Sequence, residues 1–202
     1  MVNTTATGGY IVPSSTAPAY DVSFEDALQA MVVGIVGLAG NMVRPRWQLS
    51  PPKMPENTTD WAAIGVMSAE PHAARAQIEH VPTGDGSDVN TQWEKTTVLA
   101  SFYGPSAWAN AGYMDFGIRV APNRYALEDA GISYRETGPR RMVGELVNET
   151  WQRRVDIELI FDRIIKRTYP VLNLLSAHGV INADGSSIQE TIFDTSDGRH
   201  EV

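Results

Sequence analysis

The chain has no cysteine among its 202 residues. That absence excludes disulfides, thiolate nucleophiles and cysteine-based zinc sites together, and it fits a cytosolic setting. Positive charge is also scarce: 16 Lys and Arg stand against 24 Asp and Glu, a net charge of −8. Such a balance argues against holding nucleic acid through a broad basic surface. The first basic residue is Arg44, so the charged start of a secretory signal is missing and no leader is expected. The longest uncharged apolar stretch, residues 27–43 (ALQAMVVGIVGLAGNMV), contains Gln29, Asn41 and three glycines. It falls short of the roughly 20 apolar residues of a membrane span and reads as a helix buried in protein.

Catalytic signatures are lacking as well. The four histidines, His72, His80, His178 and His200, include no pair at i, i+4 and no HExxH. His80 alternates with Ile78 in a strand-like segment, which places it on a surface or rim. No GxSxG elbow, Walker loop or GxGxxG occurs. Gly84-Asp85-Gly86 precedes a strand rather than a helix, so it is a turn and not a phosphate cradle. Asp156 and Glu158 share a strand face with Arg154 and read as solvent-facing charges, not a catalytic pair. These residues point to no enzyme, no metal and no cofactor.

What is present is enough for one folded body. Hydrophobic residues make up 43% of the chain, sufficient for a core. Residues 1–22 are rich in Thr, Ser, Ala, Gly and Pro and carry no charge before Asp21. They are expected to form a flexible arm that orders against a neighbouring subunit. A single domain is expected over 23–194, followed by a tail at 195–202.

Within that domain, Ser23 is placed as a helix N-cap, with Asp26 three residues on. Phe24, Leu28, Met31, Ile35 and Leu38 recur at helical spacing, and Gly40-Asn41 is the expected stop. Four prolines between 43 and 60 force an extended surface path. Residues 61–67 read as a strand, 74–81 as its partner, 82–88 as a turn and 91–103 as a long strand. Residues 106–120 and 122–130 read as two helices, with Trp108, Tyr113 and Phe116 on one side of the first. Strands are expected at 132–137, 141–149, 151–166 and 186–194; 171–181 is compatible with a strand or a short helix. Blocks of strands and helices, rather than regular alternation, indicate an α+β fold. Its mainly antiparallel sheet is flanked by an N-terminal helix and a central pair of helices.

Several segments in order carry a family resemblance. They are Arg44-Pro45-Arg46-Trp47, Asp60-Trp61, Ser101-Phe102-Tyr103-Gly104-Pro105, Gln152-Arg153-Arg154 and Arg167-Thr168-Tyr169-Pro170. With these, the chain resembles tailed-bacteriophage neck and tail-terminator proteins from about residue 24 to about 182.

The resemblance implies a terminator-like α+β subunit of a homo-oligomeric ring, typically a hexamer, in the virion neck at the head-proximal end of the tail. It would be assembled in the host bacterial cytoplasm. The ring would stop tail polymerisation, meeting the tail tube protein on one side and the head-side connector or stopper on the other. A sheath protein would join it in contractile tails, and DNA would pass through the lumen unread. Two alternatives stay open: another head–tail joining component, such as a connector or head-completion protein, and a small α+β enzyme. The interface candidates are Arg44, Arg46, Trp47, Trp61, Phe102, Tyr103, Trp151, Arg153, Arg154 and Tyr169. Exposed Trp and Arg are typical of interface hot spots. Core packing is an equal reading for Trp47, Trp61 and Trp151, and a solvated strand face for Arg153 and Arg154.

Overall fold

A computed structural model describes residues 3–16, 20–72, 76–147, 149–174, 176–181 and 189–194. The expected C-terminal tail, 195–202, lies outside the described residues, as do parts of the arm and of the segments expected as strands at 74–81, 141–149 and 186–194. The chain is α+β, with three α-helices and nine strands among the described residues. The helices are α1 (Asp21–Val36), α2 (Ala107–Gly117) and α3 (Tyr125–Asp129). The first four strands are β1 (Val43–Pro45), β2 (Trp61–Pro71), β3 (Gln77–Val81) and β4 (Ser87–Tyr103). After the helices come β5 (Ile132–Thr137), β6 (Arg141–Val147), β7 (Thr150–Tyr169), β8 (Ser176–Ile181) and β9 (Gln189–Asp194).

Seven strands form one mixed sheet in the order β1-β2-β4-β7-β5, with β3 on β4 and β6 on β7. All the registered pairs are antiparallel except β1 with β2, which runs parallel from Val43↔Ala62 to Pro45↔Ile64. The strand expected at 74–81 therefore joins β4 rather than the 61–67 strand, whose two neighbours are β1 and β4. The ambiguous segment 171–181 ends in β8, which pairs with β9.

The chain divides into two units. The larger comprises residues 17–77 and 91–166. Its core lies between one sheet face and the helices. Val98, Ala100 and Phe102 on β4 and Val155, Ile157, Leu159 and Phe161 on β7 are fully buried there. The period-2 alternation of β7 dictates this, since it turns every second side chain to the same face. Phe24, Leu28, Met31 and Val32 of α1 close the core from the helix side; each fully buried aliphatic or aromatic side chain contributes about 1.5–3 kcal/mol.

Two ends of α1 differ from expectation. The helix opens at Asp21, and Ser23 Oγ donates back to the Tyr20 carbonyl (2.9 Å) instead of capping. It stops at Gly37, whose φ of 79° supplies the left-handed cap and whose N–H reaches Val33 O. Gly40–Met42 is a separate 3-10 turn.

The smaller unit comprises residues 1–16, 78–90 and 167–202. Here the arm has partners within its own chain. Ser14 N donates to Thr168 O (2.8 Å), Thr168 N to Ser15 Oγ (3.1 Å) and Leu172 N to Thr5 Oγ1 (2.9 Å). Asn173 organises the 82–86 turn: its amide donates to Pro82 O (2.9 Å) and Gly84 O (3.0 Å), and its N–H to Asp85 O (2.9 Å). His80 is exposed, with its ring nitrogens 2.7 Å from Asp88 Oδ1 and 2.9 Å from Asn173 Oδ1.

Candidate interaction surface

The sheet of the larger unit has a second face, opposite the helices. Register fixes its membership. Trp61 pairs with Tyr103 and Ala63 with Ser101, so these four share the face that Ala62, Ile64 and Phe102 do not. On β1, Arg44 sits opposite Ala63 and joins the same face. Alternation on β7 adds Arg154 and Asp156.

Trp61 and Tyr103 stack with ring centroids 3.9 Å apart and planes 4° from parallel. Arg44 lies 5.5 Å from the Trp61 ring centre and Arg154 5.8 Å from that of Tyr103, within cation–π range. Beside the stack runs a polar chain. Arg46 donates to Ser101 Oγ, which donates to Asp156 Oδ1 (2.6 Å). Arg154 holds the same carboxylate in a fork, Nε to Oδ1 at 2.8 Å and Nη2 to Oδ2 at 2.9 Å, and reaches Glu145 at 3.5 Å. Asp156 is thus a half-buried member of a network, not the solvent-facing charge its alternation with Arg154 and Glu158 implied.

Burial, foremost, lowers the affinity of Arg46 for its proton. Burial is also the largest single influence on Arg154 and lowers it, but the hydrogen bonds to Asp156 together with the nearby Tyr103, Asp156 and Glu145 outweigh it and the net shift is upward. The Tyr103 hydroxyl is pushed up by burial. At neutral pH the Arg46 and Arg154 guanidiniums are therefore charged and the Tyr103 phenol is un-ionised.

The proline-rich segment closes over this face. Arg44 donates to Lys53 O (3.0 Å) and Gln48 to Pro45 O (3.0 Å). Together with Pro51, Pro52 and Met54 they line a cavity of about 200 Å³ beside Trp61 and Tyr103. Arg46 Nε and Trp61 Nε1 are buried with no hydrogen-bond partner among the described residues, so the surroundings of the cavity are rich in donors and short of acceptors. Trp47 is 61% exposed and donates to Val66 O (2.9 Å). Gly65 permits that approach: a Cβ there would lie 2.8 Å from Arg46 Cβ and 3.4 Å from the Trp47 ring.

The ten expected interface residues thus separate. Arg44, Arg46, Trp61, Tyr103 and Arg154 come together, and Trp47 adjoins them. Trp61 and Tyr103 are 6% and 5% exposed and serve as the platform beneath. Phe102 is a correction: its side chain is fully buried in the helix-side core, because it follows Ser101 and precedes Tyr103 on an alternating strand. Trp151, 71% exposed, and Arg153, whose Nη1 donates to Pro105 O (3.0 Å), stand at the β6–β7 hairpin. Tyr169 is half-buried in the smaller unit. Ser101 and Asp156 join the site without standing among the ten expected residues; the serine inside the apolar strand segment SFYGP is the one signal of it in the sequence.

Among the described residues no helix is long and apolar enough to cross a membrane, and no group of His, Cys, Asp or Glu is arranged to hold a metal ion. Over residues 22–186 the sequence matches the family described as phage neck terminator protein. The chain belongs to that family. The match takes in all of α1 but its first residue, the whole sheet and β8. Curated proteins offer no sequence match to the chain. This neck terminator is a structural, head–tail joining component of the phage particle, located at the junction of tail and head, where it meets other head and tail proteins.

Proposed function

We propose that the neck terminator assembles as a homohexameric ring on the head-proximal end of the tail tube. There it stops tube polymerisation and presents the face on which the head-side connector or stopper docks. The family match over residues 22–186 carries this reading. Sheath protein contacts the ring where the tail is contractile. DNA crosses the lumen without being read, consistent with the −8 net charge. The ring is built in the host cytoplasm, and residues 1–22 engage a neighbouring subunit.

The Arg44, Arg46 and Trp47 strip is the contact for a partner. Its support is an exposed Trp that follows Arg44 and Arg46, a proline-rich border that loses little entropy on docking, and buried donors that lack acceptors. An acidic partner segment fits that chemistry. Purified protein added to polymerising tail tube subunits should arrest growth and occupy one tube end. Continued growth at undiminished rate would overturn the proposal.

A further inference from the structure

The larger unit carries an acid-rimmed apolar socket and an apolar projection that bears a cation. The socket is a cavity of about 460 Å³ at the start of α1. Phe24, Trp47 and Val66 give it apolar walls, and Asp21 and Glu25 stand in its lining. Thr96 also lines it, fully buried, with its hydroxyl unpartnered among the described residues. Arg163 lies there too, but it is ion-paired to Glu94 (3.1 Å) and packed 4.0 Å over the Phe24 ring. Three acids, Asp21, Glu25 and Glu94, stand in the lining against the one basic residue Arg163, so the rim carries negative charge in excess.

The projection is the β6–β7 hairpin. Leu146 and Trp151 are cross-strand partners, 59% and 71% exposed, and Met142 is 55% exposed. By register they continue the sheet face that buries Val155 and Ile157, beyond the cover of the helices. Arg153, two residues from Trp151, points its Nη1 at a carbonyl and not at a carboxylate. Of the hairpin's acids, Glu145 is met by Arg154 and Glu149 occupies the turn.

A closed ring needs two different complementary surfaces on every subunit, and here one is concave and acid-rimmed while the other is convex and bears a cation. We infer that the β6–β7 hairpin of one copy seats Trp151 in the α1 socket of the next, with Arg153 against Asp21 and Glu25. The inference rests on the ring proposed above and names its subunit contact. Trp151 brings the indole N–H that the Thr96 hydroxyl can accept.

The test is sedimentation of the full-length chain alongside cross-linking in purified tails. Trp151→Ala should weaken self-association about thirty-fold or more, the usual loss at a tryptophan hot spot. Arg153→Glu and Glu25→Arg should each lower the assembled mass, and the two together should restore it. Because the chain has no cysteine, Val22→Cys with Leu146→Cys should give an oxidation-dependent ladder in tails, with each single substitution giving none. An assembled mass unmoved by all three charge and tryptophan variants overturns the hairpin–socket contact while leaving the ring intact. Tails that contain one copy of the wild-type chain overturn the ring itself.

Discussion

Trp61 and Tyr103 face each other across the β2–β4 register with their rings stacked 3.9 Å apart and nearly parallel. An arginine approaches each ring, Arg44 on one and Arg154 on the other. The stack therefore couples the 44–47 strip to β7.

Removing that coupling should cost stability first. Trp61→Ala is expected to destabilise the fold by about 3 kcal/mol or more, the range for truncating a buried aromatic, and to release Arg44. Urea denaturation checks it. A loss under about 1 kcal/mol, the scale of an ordinary point mutant, would mean the platform is not needed to hold the strip.

Asp156 anchors three donors, Ser101 directly and Arg154 twice. Asp156→Ala should cost about 2 kcal/mol, because it leaves a half-buried guanidinium without its carboxylate. In a double-mutant cycle, Arg154→Ala combined with Asp156→Ala should cost less than the sum of the two single changes. Additive losses would show that the fork makes no net contribution.

The elements that sequence reveals are those governed by local pattern. β5 appears over 132–137 as its composition predicts, and β7 follows from the alternation Val155-Asp156-Ile157-Glu158-Leu159. α1 follows from Phe24, Leu28 and Met31. What sequence does not reveal is decided by tertiary partners. The three residues of β1 are too few for any period, and their parallel pairing depends on β2, sixteen residues away at the nearest. Asp156 is polar in an outward register, yet Ser101 of β4 and Arg154 of its own strand hold it, and Arg46 reaches Ser101 from beyond β1. Phe102 and Tyr103 are neighbours with opposite fates, since one strand step reverses the face. At α1, Gly37 takes the left-handed conformation that ends the helix, three residues before Gly40-Asn41.

Trp47 separates fold from assembly. At 61% exposure, with one hydrogen bond to Val66 O, its replacement in Trp47→Ala should cost about 1 kcal/mol and leave the circular dichroism spectrum unchanged. Joining of heads to tails should nevertheless fail. A variant that unfolds in isolation would assign Trp47 to the core, and one that joins normally would remove it from the interface.

His80 is expected to make the stability of the smaller unit depend on pH. Its ring nitrogens face Asp88 Oδ1 and Asn173 Oδ1, both acceptors, so the doubly protonated ring satisfies both and the neutral ring only one. The bond to Asp88, then that to Asn173, raises the pKa above its ordinary 6.5. A raised histidine pKa stabilises the folded state fully below about 6.5, and the contribution is lost as pH rises through the folded value. Protection of the 82–86 turn in hydrogen exchange should fall across that window. In NMR titrations, Asp88→Asn should return His80 toward 6.5; an unchanged midpoint would refute the pairing.

The most direct test of a terminator is electron microscopy of particles made when its gene is disrupted. The account predicts unjoined heads together with tails of uncontrolled length, both corrected by supplying the protein. Tails of normal length attached to full heads in its absence would contradict it.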